Sequence, residues 1–338
     1  MNVSFITFGG GAIGTGHLFR CLNIAKWIQA FNADVEIHLH VLDLGIESQL
    51  KAIEIIKSRS NYPVSLENAN SINKLSFDIL IVDLLDVPMK IAETLREKSN
   101  FLVSIDNVSV SRVFSNININ PLYYKIDTKF KIKNDYIGPQ FHITSPEFNN
   151  LKSQFRKDVK NILVIQGGAD PFNLTCDIIS QLDFIKKDFN GVKIHVITGP
   201  AYIHTKSLLV YKKENNIVFH NNIKKMGLFL KNIDLAISSI GVTAFEIAGM
   251  GIPSIHITSI EKEIETGRAL KEQGVSVFLG LCCKDDIGYL LKSSVSRLIN
   301  SQYSRKKMRR NCFKLFNKSF NEKIIKEIIM FNKVDYYE

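Results

Sequence analysis

The sequence lacks any apolar run approaching the roughly 20 residues of a membrane-spanning helix, so no transmembrane segment is expected in it. Its opening apolar stretch, Asn2–Phe8, is short and has no basic flank, which predicts no secretory leader. Cysteine is sparse. The five cysteines, Cys21, Cys176, Cys282, Cys283 and Cys312, are odd in number and scattered without metal-ligand spacing. Reduced thiols and a cytoplasmic location are the simplest reading. There is no Asp-x-Asp pair to suggest an obligatory divalent ion, so no metal and no other cofactor is expected. No zinc-finger or RNA-binding aromatic signature occurs, so nucleic acid is not an expected partner.

What is present points to a globular chain. With 338 residues, 45% apolar and 22% charged, it is too long for one ordinary core and suits two domains. The net charge of +10 favours acidic ligands such as nucleotides, or an anionic membrane surface.

Short apolar strands alternate with amphipathic helices, the pattern of a parallel sheet covered on both faces. The first series reads as strand Val3–Phe8, helix His17–Ala30, strand Val35–Leu42 and helix Glu47–Lys57. It continues with strand Ile79–Val82 ending at Asp83, helix Pro88–Lys98 and strand Phe101–Ile105 ending at Asp106. Residues 120–158 interrupt the rhythm with Asn120-Pro121, Gly138-Pro139 and Ser145-Pro146, and read as a connection between domains. A second series follows: strand Asn161–Ile165, helix Leu174–Lys186, strand Val192–Thr198, strand Ile217–Phe219, helix Lys224–Leu230 and strand Leu235–Ile237. Helix Thr243–Met250, strand Ser254–Ile257 and helix Ile264–Gln273 come next, and helical stretches over 284–299 and 303–330 close the chain. The expected domains are therefore 1–150 and 151–338. Ligands of such sheets bind beyond the carboxyl ends of the strands, so the site is expected in a cleft between the domains.

Three glycine-rich turns carry the candidate chemistry. In the first, Gly9-Gly10-Gly11-Ala12-Ile13-Gly14-Thr15-Gly16-His17, the glycines let backbone amides approach a ligand. Gly9, Gly11 and Gly14 fit a dinucleotide fingerprint, but Asp43 lies too far beyond Gly14 for the ribose-binding acid of that motif. His17, at the mouth of the following helix, is the candidate general base; the positive helix end favours its neutral form. Arg20, three residues on, either holds phosphate or pairs with a carboxylate. In the second turn, Gly167-Gly168-Ala169-Asp170-Pro171, the amides suit a diphosphate, or Asp170 caps the loop. The third, Ser238-Ser239-Ile240-Gly241-Val242-Thr243-Ala244-Phe245-Glu246, joins a close-approach glycine to a helix N-terminus suited to pyrophosphate. Thr243 caps that helix or binds phosphate, and Glu246, one turn later, is placed to hold ribose hydroxyls. The basic run Arg305, Lys306, Lys307, Arg309, Arg310 and Lys314 reads as solvated surface, with peripheral membrane contact as the alternative.

Several of these segments together resemble one family. Gly14-Thr15-Gly16-His17 followed by Arg20-Cys21-Leu22 is similar to the start of the UDP-sugar hydrolase of pseudaminic acid biosynthesis and its spore-coat polysaccharide relatives. Gly138-Pro139-Gln140-Phe141 with Pro146-Glu147-Phe148, Gly167-Gly168-Ala169-Asp170-Pro171 with Asn173-Leu174-Thr175, and Gly241-x-Thr243-x-x-Glu246 with Gly251-Ile252-Pro253 resemble further family segments in the same order. The resemblance implies a GT-B fold, as in the peptidoglycan N-acetylglucosaminyltransferase: α/β, with two Rossmann-like domains and a ligand cleft. The N-terminal domain would face the sugar and carry His17 as the base that activates water or a hydroxyl. The C-terminal one would hold the nucleotide, with Glu246 on its ribose.

The chain also departs from the family pattern. Asp83-Leu84-Leu85 stands where the hydrolase has Asp-His-Tyr, Lys262-Glu263 replaces an Asn-Gln pair, and Gly9–Ile13 lacks the usual aspartate. The expectation is an enzyme that cleaves the anomeric C–O bond of a UDP-linked, modified amino-sugar. His17 is the catalytic residue; Gly14, Gly16, Arg20, Gly168, Asp170, Gly241, Thr243, Glu246 and Glu263 are the substrate-binding set. The alternative is a GT-B glycosyltransferase of surface-polysaccharide assembly, in which a sugar hydroxyl replaces water. A third reading is a non-catalytic nucleotide-sugar-binding protein.

Overall fold

The computed structural model describes residues 1–9, 15–43, 45, 47–122, 132–199, 201–221, 223, 225–282, 287–316 and 319–331. The chain divides into two compact units, residues 1–146 with 318–338, and residues 147–317.

The first unit contains β1 (Asn2–Thr7), α1 (Gly16–Phe31), β2 (Glu36–Leu42), α2 (Glu47–Arg59), β3 (Val64–Glu67) and α3 (Ala69–Ile72). They are followed by β4 (Phe77–Asp83), α4 (Met89–Glu97), β5 (Ser99–Ile105), β6 (Ile117–Asn120) and β7 (Asp135–Ile137). Every strand pair is parallel, and the order is β3-β2-β1-β4-β5-β6-β7. The order reverses between β1 and β4, the topological switch point at which such sheets bind ligands. Alternation along the strands feeds two cores. Val3, Phe5, Leu39 and Ile81 pack under Leu18, Leu22 and Ile28 of α1; Ile6, Leu80 and Val82 pack under Ala92 and Leu95 of α4.

The second unit contains β8 (Asn161–Ile165), α5 (Leu174–Gln181), α6 (Phe184–Asp188), β9 (Lys193–Thr198), β10 (Ile217–Asn221), α7 (Met226–Leu230), β11 (Leu235–Ser238) and α8 (Val242–Gly249). After these come β12 (Ser254–Thr258), α9 (Ile264–Glu272), β13 (Val277–Leu281), α10 (Ile287–Asn300) and α11 (Gln302–Leu315). Its parallel sheet runs β10-β9-β8-β11-β12-β13 and reverses between β8 and β11. A last helix, α12 (Ser319–Ile329), belongs to the first unit.

Four features differ from the expectations. The stretch expected as a single helix over 303–330 is two helices, and α12 departs from the expected second domain. Its Ile324, Ile325 and Ile328 are buried in the first unit's core beside α1, which is where that apolar face finds cover. The 120–158 stretch is more than a connection: β7 extends the first sheet, and Phe148 is buried in a core of the second unit. The basic run on α11 is not uniformly solvated. Arg305 is buried and donates to the carbonyls of Leu298, Ile299 and Lys157, while Arg309 donates to Ser153 and to the Gly251 carbonyl. Lys306, Lys307, Arg310 and Lys314 are exposed. The helix expected over Leu174–Lys186 breaks at Leu182 and Asp183 into α5 and α6. No described helix is long and apolar enough to cross a membrane.

Candidate functional site

At the switch point of the first sheet, α1 starts at Gly16, with Thr15 at its cap and Gly14 outside the described residues. His17 therefore stands in the first turn of α1, opposite the end of β4, where Asp83 is in register with Thr7 of β1. The His17 Nδ1 lies 2.6 Å from Asp83 Oδ1, and Asp83 is wholly buried. Arg20, one turn along α1, donates from Nε to Asp83 Oδ2 at 2.8 Å and from Nη2 to Asp83 Oδ1 at 2.5 Å. Its Nη1 meets Asp106 Oδ2, at the end of β5, at 2.5 Å. The Cys21 thiol also points to Asp83 Oδ2, at 3.7 Å.

The charges in this cluster explain its titration. Burial alone pushes the Asp83 carboxyl up, but the Arg20 guanidinium and His17 reverse that and hold it well below the usual carboxylate range. Asp106 is pushed up, first by its own burial and then by the nearby Asp83 charge, against the pull of Arg20. Burial opposes the charged form of Arg20, and the two carboxylates more than restore it. His142, also buried, is pushed down to about 3 by burial and by Arg20.

An ionised Asp83 at that distance accepts a hydrogen bond from His17 Nδ1–H and so favours the neutral tautomer with its lone pair on Nε2, while Arg20 Nη2 lies 3.0 Å from the same Nδ1. The ring is 13% exposed and packs at 4.5 Å between centroids against Phe8, which fixes its plane. Among the described residues, no hydrogen bond to Nε2 is found. The cluster can thus present an oriented base. His17, Asp83 and Asp106 also offer donor atoms within 4.8 Å of one another, the reach of a metal site. Arg20 already contacts an oxygen of each carboxylate there. Arg20 was expected to hold phosphate or to pair with a carboxylate, and the structure pairs it with Asp83 and Asp106. Asp83 and Asp106 were not among the expected site residues. Their signal was their position: each is a charged residue closing a buried apolar strand at its carboxyl end.

In the second unit, the turns after β8, β9 and β11 meet at the carboxyl edge of the sheet. Gly167 adopts φ +78, and a Cβ on Gly199 would come within 2.3 Å of the Gly168 carbonyl oxygen, so these two backbones touch. That carbonyl accepts from Ala201 N at 3.0 Å. Asp170 turns toward the start of α5. Its two oxygens accept from Leu174 N at 2.8 Å and Thr175 N at 2.9 Å and cap α5, because Asn173 at the cap position supplies no side-chain bond. Gly241 caps α8, and the space its Cβ would occupy is open. Thr243 lies in the first turn of α8 and Glu246 one turn on, both half-buried. Burial first, and the Glu147 charge second, push the Glu246 carboxyl up to about 8. Glu263, at the start of α9, accepts a hydrogen bond from Thr258 Oγ1 at the end of β12; burial still pushes it up to about 7. Gly16, His17 and Arg20 thus lie in the first unit, and Gly168, Asp170, Gly241, Thr243, Glu246 and Glu263 in the second.

Known proteins share this architecture. The chain is 14% identical to MurG of Acinetobacter baumannii, with a TM-score of 0.61 over 97% of this chain and 99% of that one. It superposes on a putative UDP-N-acetylglucosamine 2-epimerase from Listeria monocytogenes at TM-score 0.62 and 13% identity, covering 100% of this chain and 96% of that one. The spinosyn rhamnosyltransferase SpnG complexed with thymidine diphosphate gives TM-score 0.59 at 12% identity, covering 99% and 100%. The chain has the GT-B fold.

In sequence, it is 31% identical over 286 residues to the uncharacterized protein MJ1062 of Methanocaldococcus jannaschii, covering 78% of this chain. It spans 57% of the length of that relative. It is 23% identical over 299 residues to the spore coat polysaccharide biosynthesis protein SpsG of Bacillus subtilis, covering 83% of this chain and 84% of that one. No protein-family model matches the sequence.

Proposed function

We propose that this GT-B chain is a cytoplasmic enzyme that breaks the anomeric C–O bond of a nucleotide-sugar, with a UDP-linked modified amino-sugar as substrate and water as acceptor. The observation that carries this reading is the 2.6 Å contact of His17 Nδ1 with the buried, ionised Asp83. It leaves Nε2 as the basic nitrogen in the first turn of α1, at a sheet switch point. In the proposed step, Nε2 takes a proton from water as its oxygen bonds the anomeric carbon. The bond to the diphosphate breaks, its electron pair leaves with the nucleoside diphosphate, and free sugar is released.

Backbone amides near Gly168 and Gly241, the positive end of α8 and the Thr243 hydroxyl are assigned to the departing diphosphate. Glu246 is assigned to the ribose and Glu263 to the sugar, and Gly16 leaves room beside His17. The order of motifs shared with the pseudaminic-acid hydrolase and spore-coat relatives supports UDP. Arg20 and Asp170 stand outside this assignment, because their charged groups are used within the fold.

Transfer to a sugar hydroxyl is the second reading. It is favoured by Leu84-Leu85 in place of the hydrolase's His-Tyr and by Lys262-Glu263 in place of Asn-Gln. Incubating the purified protein with a panel of UDP-sugars, with and without saccharide acceptors, separates the two. Acceptor-independent, stoichiometric UDP release supports hydrolysis, and release only with acceptor supports transfer. His17→Ala is expected to abolish release by either route while binding persists. No release from any sugar nucleotide by the wild-type protein would overturn the catalytic reading.

A further inference from the structure

The second sheet holds a buried side chain that no interaction within the fold explains. Gln166, the residue after β8, is 5% exposed, yet neither its Nε2 nor its Oε1 has a hydrogen-bond partner among the described residues. Buried amides are almost always paired, because an unmade bond costs the full desolvation of the group. Its place in the sheet is well defined. Ile162 and Val164 enter one core and Leu163 and Ile165 the other, so alternation puts Gln166 on the face of Ile162 and Val164. Ile165 pairs with Ile197 of β9 and with Ser238 of β11, which sets Thr198 and Ser239 level with Gln166 on either side. Both neighbours are half-buried. The Ser239 hydroxyl lies against the Gly167 turn, 3.5 Å from where a Cβ on that glycine would sit. Three adjacent strands therefore end in Thr198, Gln166 and Ser239 at the carboxyl edge, beside the sheet's switch point.

We propose that Gln166 is a ligand-binding residue whose amide pairs with a donor–acceptor group of the bound nucleotide-sugar: a hydroxyl, or the imide edge of a pyrimidine base. This rests on the nucleotide-sugar reading and adds to it a residue which that reading does not use. The amide chemistry selects the ligand group. Oε1 needs a donor and Nε2 an acceptor, and a diphosphate offers acceptors only. Thr198 and Ser239 put further hydroxyl-bearing residues on the adjacent strand ends, so the strand ends are assigned to the nucleoside or sugar, and the helix N-terminus at Gly241 is left to the phosphates.

The test compares the wild-type protein with Gln166→Leu, by calorimetric titration with inorganic pyrophosphate, UDP and UDP-N-acetylglucosamine, and by thermal unfolding without ligand. The expected Gln166→Leu result is unchanged pyrophosphate affinity and about tenfold weaker UDP-sugar binding, equal to about 1.4 kcal/mol. Removing an unpaired buried amide is also expected to raise the ligand-free Tm by about 2–4 °C. A parallel loss for UDP places the paired group on the nucleoside; a loss for the UDP-sugar alone places it on the sugar. Unchanged affinity for all three, with a lowered Tm, overturns the proposal by showing that the amide is satisfied within the fold. Gln166→Met is the second variant, and failure of both variants to fold overturns the proposal in the same way. If the wild-type protein binds none of the three probes, the nucleotide-sugar reading itself fails and takes this inference with it.

Discussion

At Asp83, four groups converge on one carboxylate: His17, two nitrogens of Arg20 and the Cys21 thiol. The arrangement separates two jobs. Arg20 keeps Asp83 ionised, and the ionised Asp83 sets the tautomer of His17. Asp83→Asn keeps an acceptor for Arg20 but loses the charge that orients the imidazole. Turnover is expected to fall on the order of 10²-fold with little change in KM, and wild-type turnover in the variant would remove Asp83 from the mechanism. Arg20→Met should act differently, because it strands Asp83 and Asp106, both buried. A stability loss of about 3–5 kcal/mol is expected in urea titrations at pH 7; a loss near zero would mean that the cation is not needed to hold the two carboxylates. The sequence marked His17 through its glycine-rich turn. It gave no comparable mark to Asp83, whose partner lies 66 residues away in the chain, a separation that only strand order closes.

Among the elements, those bounded by clear turn signals were legible, and several short strands toward the sheet edges were not. Asn161–Ile165 is a strand with the expected limits, and α1, β2, β5 and α9 fall within one or two residues of expectation. β3, β6, β7 and β13, which were not expected, lie at a sheet edge or next to one, and they exist because a neighbouring strand already presents its edge. Asp170 shows the same limit at the level of a turn. As sequence it suits a phosphate loop; as structure it is the cap of α5, with both oxygens used. Asp170→Ala is expected to cost about 0.5–2 kcal/mol in chemical denaturation. The effect on nucleotide affinity should be no larger than the stability loss accounts for, and a selective loss of affinity in a stable variant would return Asp170 to the binding set.

Across the whole molecule, burial makes stability depend on pH from both sides. His195 and His256 are pushed down to about 4 and His142 to about 3, chiefly by burial. Below their ordinary value of 6.5 the unfolded chain takes up protons that the folded one refuses, so their contribution is lost as pH falls from 6.5 toward 4. Glu246 and Glu263 have the opposite sign. Above the ordinary 4.5 the unfolded carboxyls ionise while the folded ones stay protonated up to about 8 and about 7, so stability is lost as pH rises through that range. Glu246→Gln should therefore flatten the decline in Tm between pH 6 and pH 8.5, and an identical slope in the variant would mean that Glu246 is ionised in the folded protein. By itself, the sequence determined the α/β class, the two parallel series, the glycine-rich segments after strands and the place of His17 at a helix start. These are local patterns of apolar period and backbone permissiveness, readable within a few residues. Tertiary structure alone decided that Asp83 and Asp106 share Arg20 and that α12 joins the first unit. It alone left Gln166 buried without a partner. Each of these depends on which distant segments lie side by side in the fold, and burial then decides which charges and hydrogen bonds can be left unpaired.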